Sequence, residues 1–495
     1  MRWNLSVLLH YTPSRNLHYH RLIMLDFPLH QTPQTKAWRF LRPFSSDSTD
    51  PDEQVAVLVQ NIIYFRRQKS TDEIEQALDR SGFELTEELV LNVLRRHRSD
   101  WKPAYVFFNW VCKRSGYSPG SRPYNEILDI LGKMRRFEEV DQVFDEMSKR
   151  NGLVNEATYG ILLNRYAAAH KVEEAIDVFK RRKEFGLEVD DLVPFQTLLL
   201  WMCRYKHVEV AENLFYSYCN KRNGLFIHSD IKTWNIILNG WCVRGNVHEA
   251  KRFWNDIIAS GCRPDLFTCG TFINALTKKG KLGTALKLFR AMWGYKGCNP
   301  DVAICNCIIN ALCFKKRIPQ ALQVFREMSE RGCQPNVATY NTLIKYLCRI
   351  QRMEKVYEIL DEMEQKRGDC LPNHVTYSFL LKSLKRPEEV PALLERMERS
   401  GCGMIGDTYN LMLKLYLDWD CQERVRHTWN EMERNGLGPD QQSYTIMVHG
   451  YCEKGRRKDA LHYFRQMKSK GMRLEPKTEI LVNSLDVNFD GKKGA

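Results

Sequence analysis

The sequence has 495 residues, 74 of them Lys or Arg and 60 Asp or Glu, which gives a net charge of +14. This positive excess favours an anionic partner, either a nucleic acid or an anionic membrane surface. No apolar run approaches the roughly eighteen residues that a membrane-spanning helix needs, so we expect a soluble protein.

Residues 1–44 have the composition of an organellar transit peptide. They contain six basic residues and one acid, Asp26, whereas acids become frequent from Asp47 onward. Arg42 lies two residues before the Phe44–Ser45 bond, an arrangement that resembles a mitochondrial processing site. We predict import into the mitochondrial matrix and removal of 1–44. The chloroplast is the alternative organelle, and a disordered basic tail is the alternative interpretation of the segment.

Residues 45–85 are predicted to be a linker with some helix. Residues 86–120 are predicted to be a degenerate repeat or a cap, because the runs EELVLNVLRR and AYVFFNWV have helical composition and Gly120 ends the segment.

From residue 121 the sequence repeats with a period near 35. Stretches such as PYNEILDILGK, TWNIILNGWCV and TYNTLIKYLCR share an aromatic residue, a polar or small residue and an apolar run. The successive spacings between the residues that follow the aromatic position are 35, 36, 39, 35, 36, 35, 37, 32 and 35. These spacings define ten units: 121–155, 156–191, 192–230, 231–265, 266–301, 302–336, 337–373, 374–405, 406–440 and 441–475. Residues 476–495 are predicted to be a C-terminal cap and tail.

Each unit is predicted to contain two helices. The first begins near the aromatic position, and the second carries a small residue followed four residues later by a large apolar residue, with six pairs such as Ala175/Phe179 and Ala285/Phe289. Residues four apart share a helical face, so neighbouring helices can pack closely there. Glycines such as Gly261 and Gly332 are suited to ending the second helix. Stacked two-helix units predict an all-α, right-handed superhelical solenoid of about 35-residue repeats.

Ten of the sixteen cysteines follow the same period, and the sequence contains no CxxC pair. Five occupy the twelfth position of their units and five lie three residues before the unit's end. This phasing indicates small apolar side chains in a reducing compartment, and we predict no metal site and no cofactor.

The period, the TYN-type openings and the GCRPD or GCQPN endings resemble the P class of the pentatricopeptide repeat family, of plant organellar type. The tetratricopeptide repeat is the nearest alternative, but its 34-residue unit has a different Trp, Leu-Gly and Tyr pattern.

The resemblance implies that a single-stranded organellar RNA lies along the array with one base per unit. In the family, the fifth and last residues of a unit meet the base. Five units carry the pairs that resemble pyrimidine recognition: Asn125 with Asn155, Asn235 with Asp265, Asn306 with Asn336, Asn341 with Asn373, and Asn410 with Asp440. The other five fit less well: Gly160 with Asp191, Gln196 with Asp230, Gly270 with Asp301, Ser378 with Ile405, and Thr445 with Glu475.

The chemistry of these residues allows two interpretations. An Asn carboxamide offers a donor and an acceptor to a pyrimidine edge, and a neighbouring Asp or Asn can fix its orientation. An Asp or Asn that follows Gly-x-Pro and precedes a helix is also an ordinary helix cap.

Basic residues recur in the turn between the two helices of a unit, where they could contact phosphates or simply face solvent. The candidates are Lys133, Arg204, Lys278, Lys315, Lys316 and Arg349.

No catalytic motif is found, and we expect a protein that is not an enzyme. His207-Val208-Glu209 matches half of a deaminase signature, but no CxxC follows it. The predicted function is sequence-selective RNA binding that supports processing, stability, splicing or translation, with protein partners for processing or splicing. The alternative is a protein–protein scaffold, because helical solenoids also bind peptides.

Overall fold

The computed structural model describes residues 51–66, 69–150, 152–185, 192–219, 230–294, 298–366, 368–473 and 475–482. The proposed transit peptide, Gly186 and Asp191 lie outside these ranges. Every regular element within them is helical, and none of these residues forms a strand. The all-α solenoid predicted from the repeat is therefore confirmed.

The chain divides into two compact units, Met1–Val93 and Leu94–Ala495. The helices Pro51–Phe65 and Thr71–Asp79 belong to the first, and Glu87–Arg96 spans the division. The helix Trp101–Lys113 belongs to the second and packs against the first helix of unit 1.

The ten units each contain two helices, as the period predicts. The first helices are Ser121–Lys133, Glu156–Ala168, Leu192–Arg204, Ile231–Arg244, Leu266–Lys278, Val302–Phe314, Val337–Arg349, His374–Ser383, Gly406–Asp418 and Gln441–Glu453. The second helices are Phe137–Ser148, Val172–Arg181, Val208–Cys219, Val247–Ala259, Leu282–Met292, Ile318–Glu330, Met353–Lys366, Val390–Arg399, Gln422–Arg434 and Arg457–Ser469. Residues 476–482 form a further helical segment. Short 3-10 segments occupy Arg182–Phe185, Gly368–Cys370 and Pro387–Glu389.

Backbone conformation fixes where these helices end. Gly261 and Gly332 follow second helices with φ of 79° and 82°, as their sequence positions predict. The turn between the two helices also contains a left-handed residue at the fifteenth position of nine units, and six of these residues are not glycine. The non-glycine residues are Arg135, His170, Lys206, Lys316, Gln351 and Asp420.

The core follows the repeat. The aromatic position is buried in the described units, with Tyr124, Tyr340 and Tyr409 at 0% exposure. The paired alanine of the second helix is also buried in the six units that carry it, units 2–6 and 10, which lets the helices approach closely. Phe464, in the last complete unit, is only half-buried.

The first helices of neighbouring units pack directly against one another along the array. The second helices pack on the first helix of their own unit, and their backbones approach the successive second helices less closely. Side chains still join successive second helices, as in the Tyr216–Asp256 hydrogen bond and the Arg252–Glu212 ion pair.

Unit 8 departs from the other units. Its first helix ends early at Ser383, and its turn runs through extended Leu384 rather than through a left-handed residue. A 3-10 turn at Pro387–Glu389 then leads into the second helix. Proline cannot donate the backbone hydrogen bond that a longer first helix would need, which accounts for the shortened turn.

Candidate nucleic-acid interface

The fifth residue of a unit meets the last residue of the same unit through a side-chain hydrogen bond. The carboxamide nitrogen donates to the partner's Oδ atom in six units. The distances are 3.3 Å for Asn125–Asn155, 2.7 Å for Gln196–Asp230, 3.2 Å for Asn235–Asp265, 3.4 Å for Asn306–Asn336, 3.3 Å for Asn341–Asn373 and 3.4 Å for Asn410–Asp440. The structure therefore brings together all five pairs that resemble pyrimidine recognition, and one of the weaker pairs.

The last residue is also the N-cap of the following helix. The side chain of Asn373 accepts the backbone N–H of Thr376, and that of Asp265 accepts the N–H of Thr268. The same bond is formed by Asn155, Asp230, Asp301, Asn336 and Asp440. The two interpretations of these residues are thus compatible, because one oxygen both caps a helix and holds the preceding carboxamide.

Sequence reasoning missed a third group, a hydroxyl at the third position of the following unit. Thr158, Thr268, Thr376 and Ser443 each donate to the Oδ1 atom of the preceding unit's asparagine. The distances are 2.6–2.7 Å, and all four hydroxyl residues are fully buried. The Thr-aromatic-Asn opening of a unit was the sequence signal for this threonine. In that motif the threonine stands beside the asparagine of its own unit, whereas the asparagine that it contacts belongs to the preceding unit.

Unit 6 lacks this third contact. Asn306 Oδ1 is buried and has no hydrogen-bond partner among the described residues, although Thr339 follows at the expected position. The Thr339 hydroxyl instead contacts Asn336 Oδ1 at 3.1 Å.

The remaining weaker pairs are not joined in this way. Ser378 and Thr445 donate their hydroxyls to Val375 O and Gln441 O of their own helices. Gly160 and Gly270 have no side chain to offer, and Asp301 remains a helix cap. Ile405 begins the first helix of unit 9 without a side-chain cap.

The carboxamides are largely enclosed. Asn125, Asn235, Asn341 and Asn410 are 9%, 6%, 9% and 2% exposed, so only a narrow edge of each could contact a ligand. Burial raises the pKa of Asp440, but the hydrogen bonds from Ser443 and Asn410 outweigh it and hold that pKa below its ordinary value. An ionised carboxylate only accepts, so Asn410 must turn its NH₂ towards it.

A second missed feature is the exposed residue at the second position of each unit. Val193, Phe267 and Val375 are 62%, 44% and 50% exposed despite being apolar. The second and fifth positions are three residues apart and share one face of the first helix. The remaining second-position residues are also exposed: Arg122, Ala157, Lys232, Ala303, Ala338, Asp407 and Gln442.

The predicted basic residues are exposed at the ends of the first helices. Lys133, Arg204, Lys278 and Arg349 are the last residues of their helices, and Lys315 and Lys316 lie in the turn. Neighbouring turns are close, since Lys279 Nζ lies 3.0 Å from the point where a Cβ on Gly245 would stand. A cation at a helix C-terminus also stabilises the helix dipole, so position alone does not assign these residues to phosphate.

The described residues contain no cluster of three or more side chains suited to a metal ion. Among them, none of the helices is both long and apolar enough to cross a membrane. Cys269 and Cys305 take the aromatic position in units 5 and 6, where they are buried, and Cys269 meets Cys298 at 3.9 Å. His207 and Glu209 lie at the start of the second helix of unit 3, and Glu209 forms an ion pair with Arg244.

Comparison with known proteins agrees with this architecture. A sequence profile described as PPR repeat family matches residues 119–168, 229–278, 300–349, 335–386 and 406–453. A second profile, described as PPR repeat, matches residues 157–187, 267–296 and 442–472. A putative pentatricopeptide repeat-containing protein of Arabidopsis thaliana is 61% identical over 434 residues, which are 88% of this chain and 82% of the relative. Another from A. thaliana, named as mitochondrial, is 40% identical over 224 residues, 44% of this chain and 38% of the relative.

Among solved structures, the chain resembles the pentatricopeptide repeat protein PPR10 in complex with an 18-nt psaJ RNA element. The identity is 23% and the TM-score 0.42, over 87% of this chain and 65% of that chain. The repeat period, the profile matches over more than half of the sequence and the similarity to the first A. thaliana relative lead to one conclusion. The chain belongs to the pentatricopeptide repeat family.

Proposed function

We propose that this protein binds single-stranded RNA along the row of first helices, with one base facing each unit. The observation that supports this most directly is the recurrence of the same carboxamide network. It appears in units 1, 3, 4, 6, 7 and 9, always with a fifth-position amide and a last-position oxygen. A helix cap alone requires no amide at the fifth position.

The network leaves part of the carboxamide's hydrogen-bonding capacity available for a base. In unit 7, Asn341 uses one N–H on Asn373 and one lone pair on Thr376. A carboxamide has two N–H groups and two lone pairs, so one donor and one acceptor remain. A pyrimidine edge also presents acceptors and donors, and it can approach edge-on although little of the amide is exposed. Exposed apolar side chains at the second position, such as Val193, Phe267 and Val375, offer surface on which a base could stack.

The proposed site leans towards pyrimidines. Units 4 and 9, with Asn and Asp, resemble uracil recognition, and units 1, 6 and 7, with two asparagines, resemble recognition of cytosine or uracil. Units 2, 5, 8 and 10 offer no such network, and we assign no base to them. The Gln196–Asp230 contact suggests that unit 3 also selects a base.

We propose that the protein acts in mitochondria. The acid-poor segment 1–44 supports this, and several relatives have names that include mitochondrial. Sequencing the N-terminus of the mature protein from isolated organelles should find Ser45 or a near neighbour. Recovery of a chain that keeps Met1 would contradict import with cleavage.

Binding to a randomised single-stranded RNA library, followed by sequencing of the bound fraction, tests the RNA proposal. We expect an enriched motif in which uracil or cytosine recurs at the spacing of units 1, 4, 6, 7 and 9. Recovery of the input composition would contradict sequence-selective RNA binding and would favour a peptide-binding scaffold. We also expect the bound RNA to be recovered intact, because we propose no catalytic role, and a cleaved or deaminated strand would contradict that part.

A further inference from the structure

A buried hydroxyl at the third position of a unit accompanies a polar fifth-position side chain in the preceding unit. Where the fifth position carries a polar side chain, the next unit has Thr or Ser at its third position. These residues are Thr158, Thr233, Thr268, Thr339, Thr376, Thr408, Ser443 and Thr478. The fifth position is glycine in units 2 and 5, and the third positions that follow are Pro194 and Ile304.

Capping does not account for this correspondence. Ile304 has no hydroxyl, yet its backbone N–H is capped by Asp301 at 2.9 Å as in the other units. The Ile304 side chain occupies the space beside Gly270, 3.2 Å from the point where a Cβ would stand. The hydroxyl is therefore absent where the preceding unit has no side chain to receive it, and apolar bulk takes its place.

The direction of the hydrogen bond follows from counting protons in unit 7. The Thr376 oxygen accepts the backbone N–H of Asn373 at 3.1 Å, so its single proton must be donated elsewhere. Asn373 Oδ1 already accepts from Thr376 N at 3.1 Å and from Asn341 Nδ2 at 3.3 Å. The hydroxyl lies 2.6 Å from Asn341 Oδ1 and 3.2 Å from Asn373 Oδ1, so its proton goes to Asn341.

We propose that the third-position hydroxyl of one unit is a specificity-determining positioning residue for the base that faces the preceding unit. Together with the cap oxygen, it holds the carboxamide in one of its two orientations. That fixes which corner of the amide is a donor and which is an acceptor towards the base. The inference rests on the proposed function, since it assigns a role within the same RNA site.

Unit 6 provides an internal comparison. It has the same Asn/Asn pair as unit 7, but Asn306 Oδ1 has no partner in the described part of the chain, and the amide lacks this constraint. We therefore expect the wild-type protein to discriminate between bases more sharply at unit 7 than at unit 6.

The test compares Thr376→Val with Thr339→Val. Both threonines are fully buried and both contact their own cap residue, so both variants lose the same capping contacts. Only Thr376 donates to the preceding asparagine. The probe is the RNA enriched by the wild-type protein, with the base facing unit 6 or unit 7 changed singly.

We expect Thr376→Val to reduce the discrimination at the unit 7 base by about two- to tenfold, the effect of one hydrogen bond. Thr376→Ser should restore the discrimination at the unit 7 base. Thr339→Val should leave the discrimination at the unit 6 base within about twofold of the wild-type value, because no hydrogen bond to Asn306 is lost. The double variant Asn341→Ala/Thr376→Val should discriminate no less than Asn341→Ala alone, because the hydroxyl acts through the asparagine.

If Thr376→Val does not fold, Ser443→Ala removes the corresponding group opposite Asn410 with a smaller change in shape. Equal losses in Thr376→Val and Thr339→Val, or undiminished discrimination in Thr376→Val, would overturn the inference. A wild-type protein without base preference at unit 7 would instead contradict the proposed function.

Discussion

At the scale of single residues, the central observation is that one oxygen serves two purposes. Asn373 Oδ1 accepts both the N–H that begins the first helix of unit 8 and the amide of Asn341. The site and the scaffold therefore share atoms, and a substitution at the last position changes both stability and binding. Substitution at the fifth position separates them, because it leaves the cap intact.

We predict that Asn341→Ala lowers the discrimination at the unit 7 base about fivefold or more, since a good bidentate base contact contributes roughly 1–3 kcal/mol. Competition binding with RNAs that differ at that base measures the effect. Ser378→Ala is the matched control, because Ser378 bonds its own helix and should change no base preference. A uniform loss of affinity for every base in Asn341→Ala would show that Asn341 stabilises the fold only.

The resemblance to the family implied that the fifth and last positions meet the base, and the period located these positions in every unit. The sequence did not reveal the third-position hydroxyl as part of the site. That residue lies 33–35 residues from the asparagine that it contacts, in another unit, and only packing of adjacent first helices brings the two together. The exposure of the second-position residues was missed for a similar reason, since exposure depends on what the neighbouring unit covers.

At the scale of helices, the unit boundary was predictable from Gly, Pro and Asp or Asn. The boundary between units 8 and 9 shows what happens without the polar residue. Ile405 has the extended backbone of a cap, with φ of −123° and ψ of 163°, but no side chain that can accept a hydrogen bond.

We predict that Ile405→Asn stabilises the protein by about 1 kcal/mol, because its side chain could accept the N–H of Thr408. Urea unfolding followed by circular dichroism measures the change, with Ile405→Ala as the control that adds no cap. A midpoint for Ile405→Asn at or below that of Ile405→Ala would contradict the capping argument.

The close packing of the first helices leads to a second prediction at this scale. A Cβ on Gly240 would stand 2.8 Å from Cys203 Sγ of the preceding unit, whereas one on Gly283 would meet nothing within 4 Å. We expect Gly240→Ala to destabilise the fold by about 1–3 kcal/mol through overpacking. Gly283→Ala should stabilise it by roughly 0.5–1 kcal/mol, because alanine favours the helix. Similar unfolding midpoints for the two variants would show that the packing around Gly240 can rearrange to accommodate the added methyl group.

At the scale of the whole molecule, stacking in register brings the basic turn residues of neighbouring units together in units 4–6. Lys278 and Lys279 of unit 5 lie between the turns of units 4 and 6, since Lys279 approaches Gly245 and Lys315 approaches Gly280. Residues that contact the phosphates of a bound RNA should contribute equally to the affinity for every RNA sequence.

We predict that Lys278→Ala with Lys279→Ala weakens binding to all RNAs by a similar factor. The slope of log affinity against log salt should flatten by about 0.7 for each single-stranded phosphate contact that is lost. Titrations at several salt concentrations give the slope. Glu453→Ala, which changes an exposed acid at the corresponding position of unit 10, serves as the control for a change in charge alone. An unchanged slope in the lysine variant would show that these lysines face solvent and do not contact phosphates.

The contact between Thr376 and Asn341 has a consequence for rebuilding such proteins from parts. A segment cut at the ends of unit 7, residues 337–373, carries Asn341 and Asn373 but leaves the hydroxyl of Thr376 behind. A transplanted unit would then depend on whatever residue its new neighbour supplies, and the same unit would behave differently in different hosts. Cutting instead between the third and fifth positions of consecutive first helices keeps the amide, the cap and the hydroxyl on one piece. The transferable module is thus displaced along the chain from the repeat that the period defines.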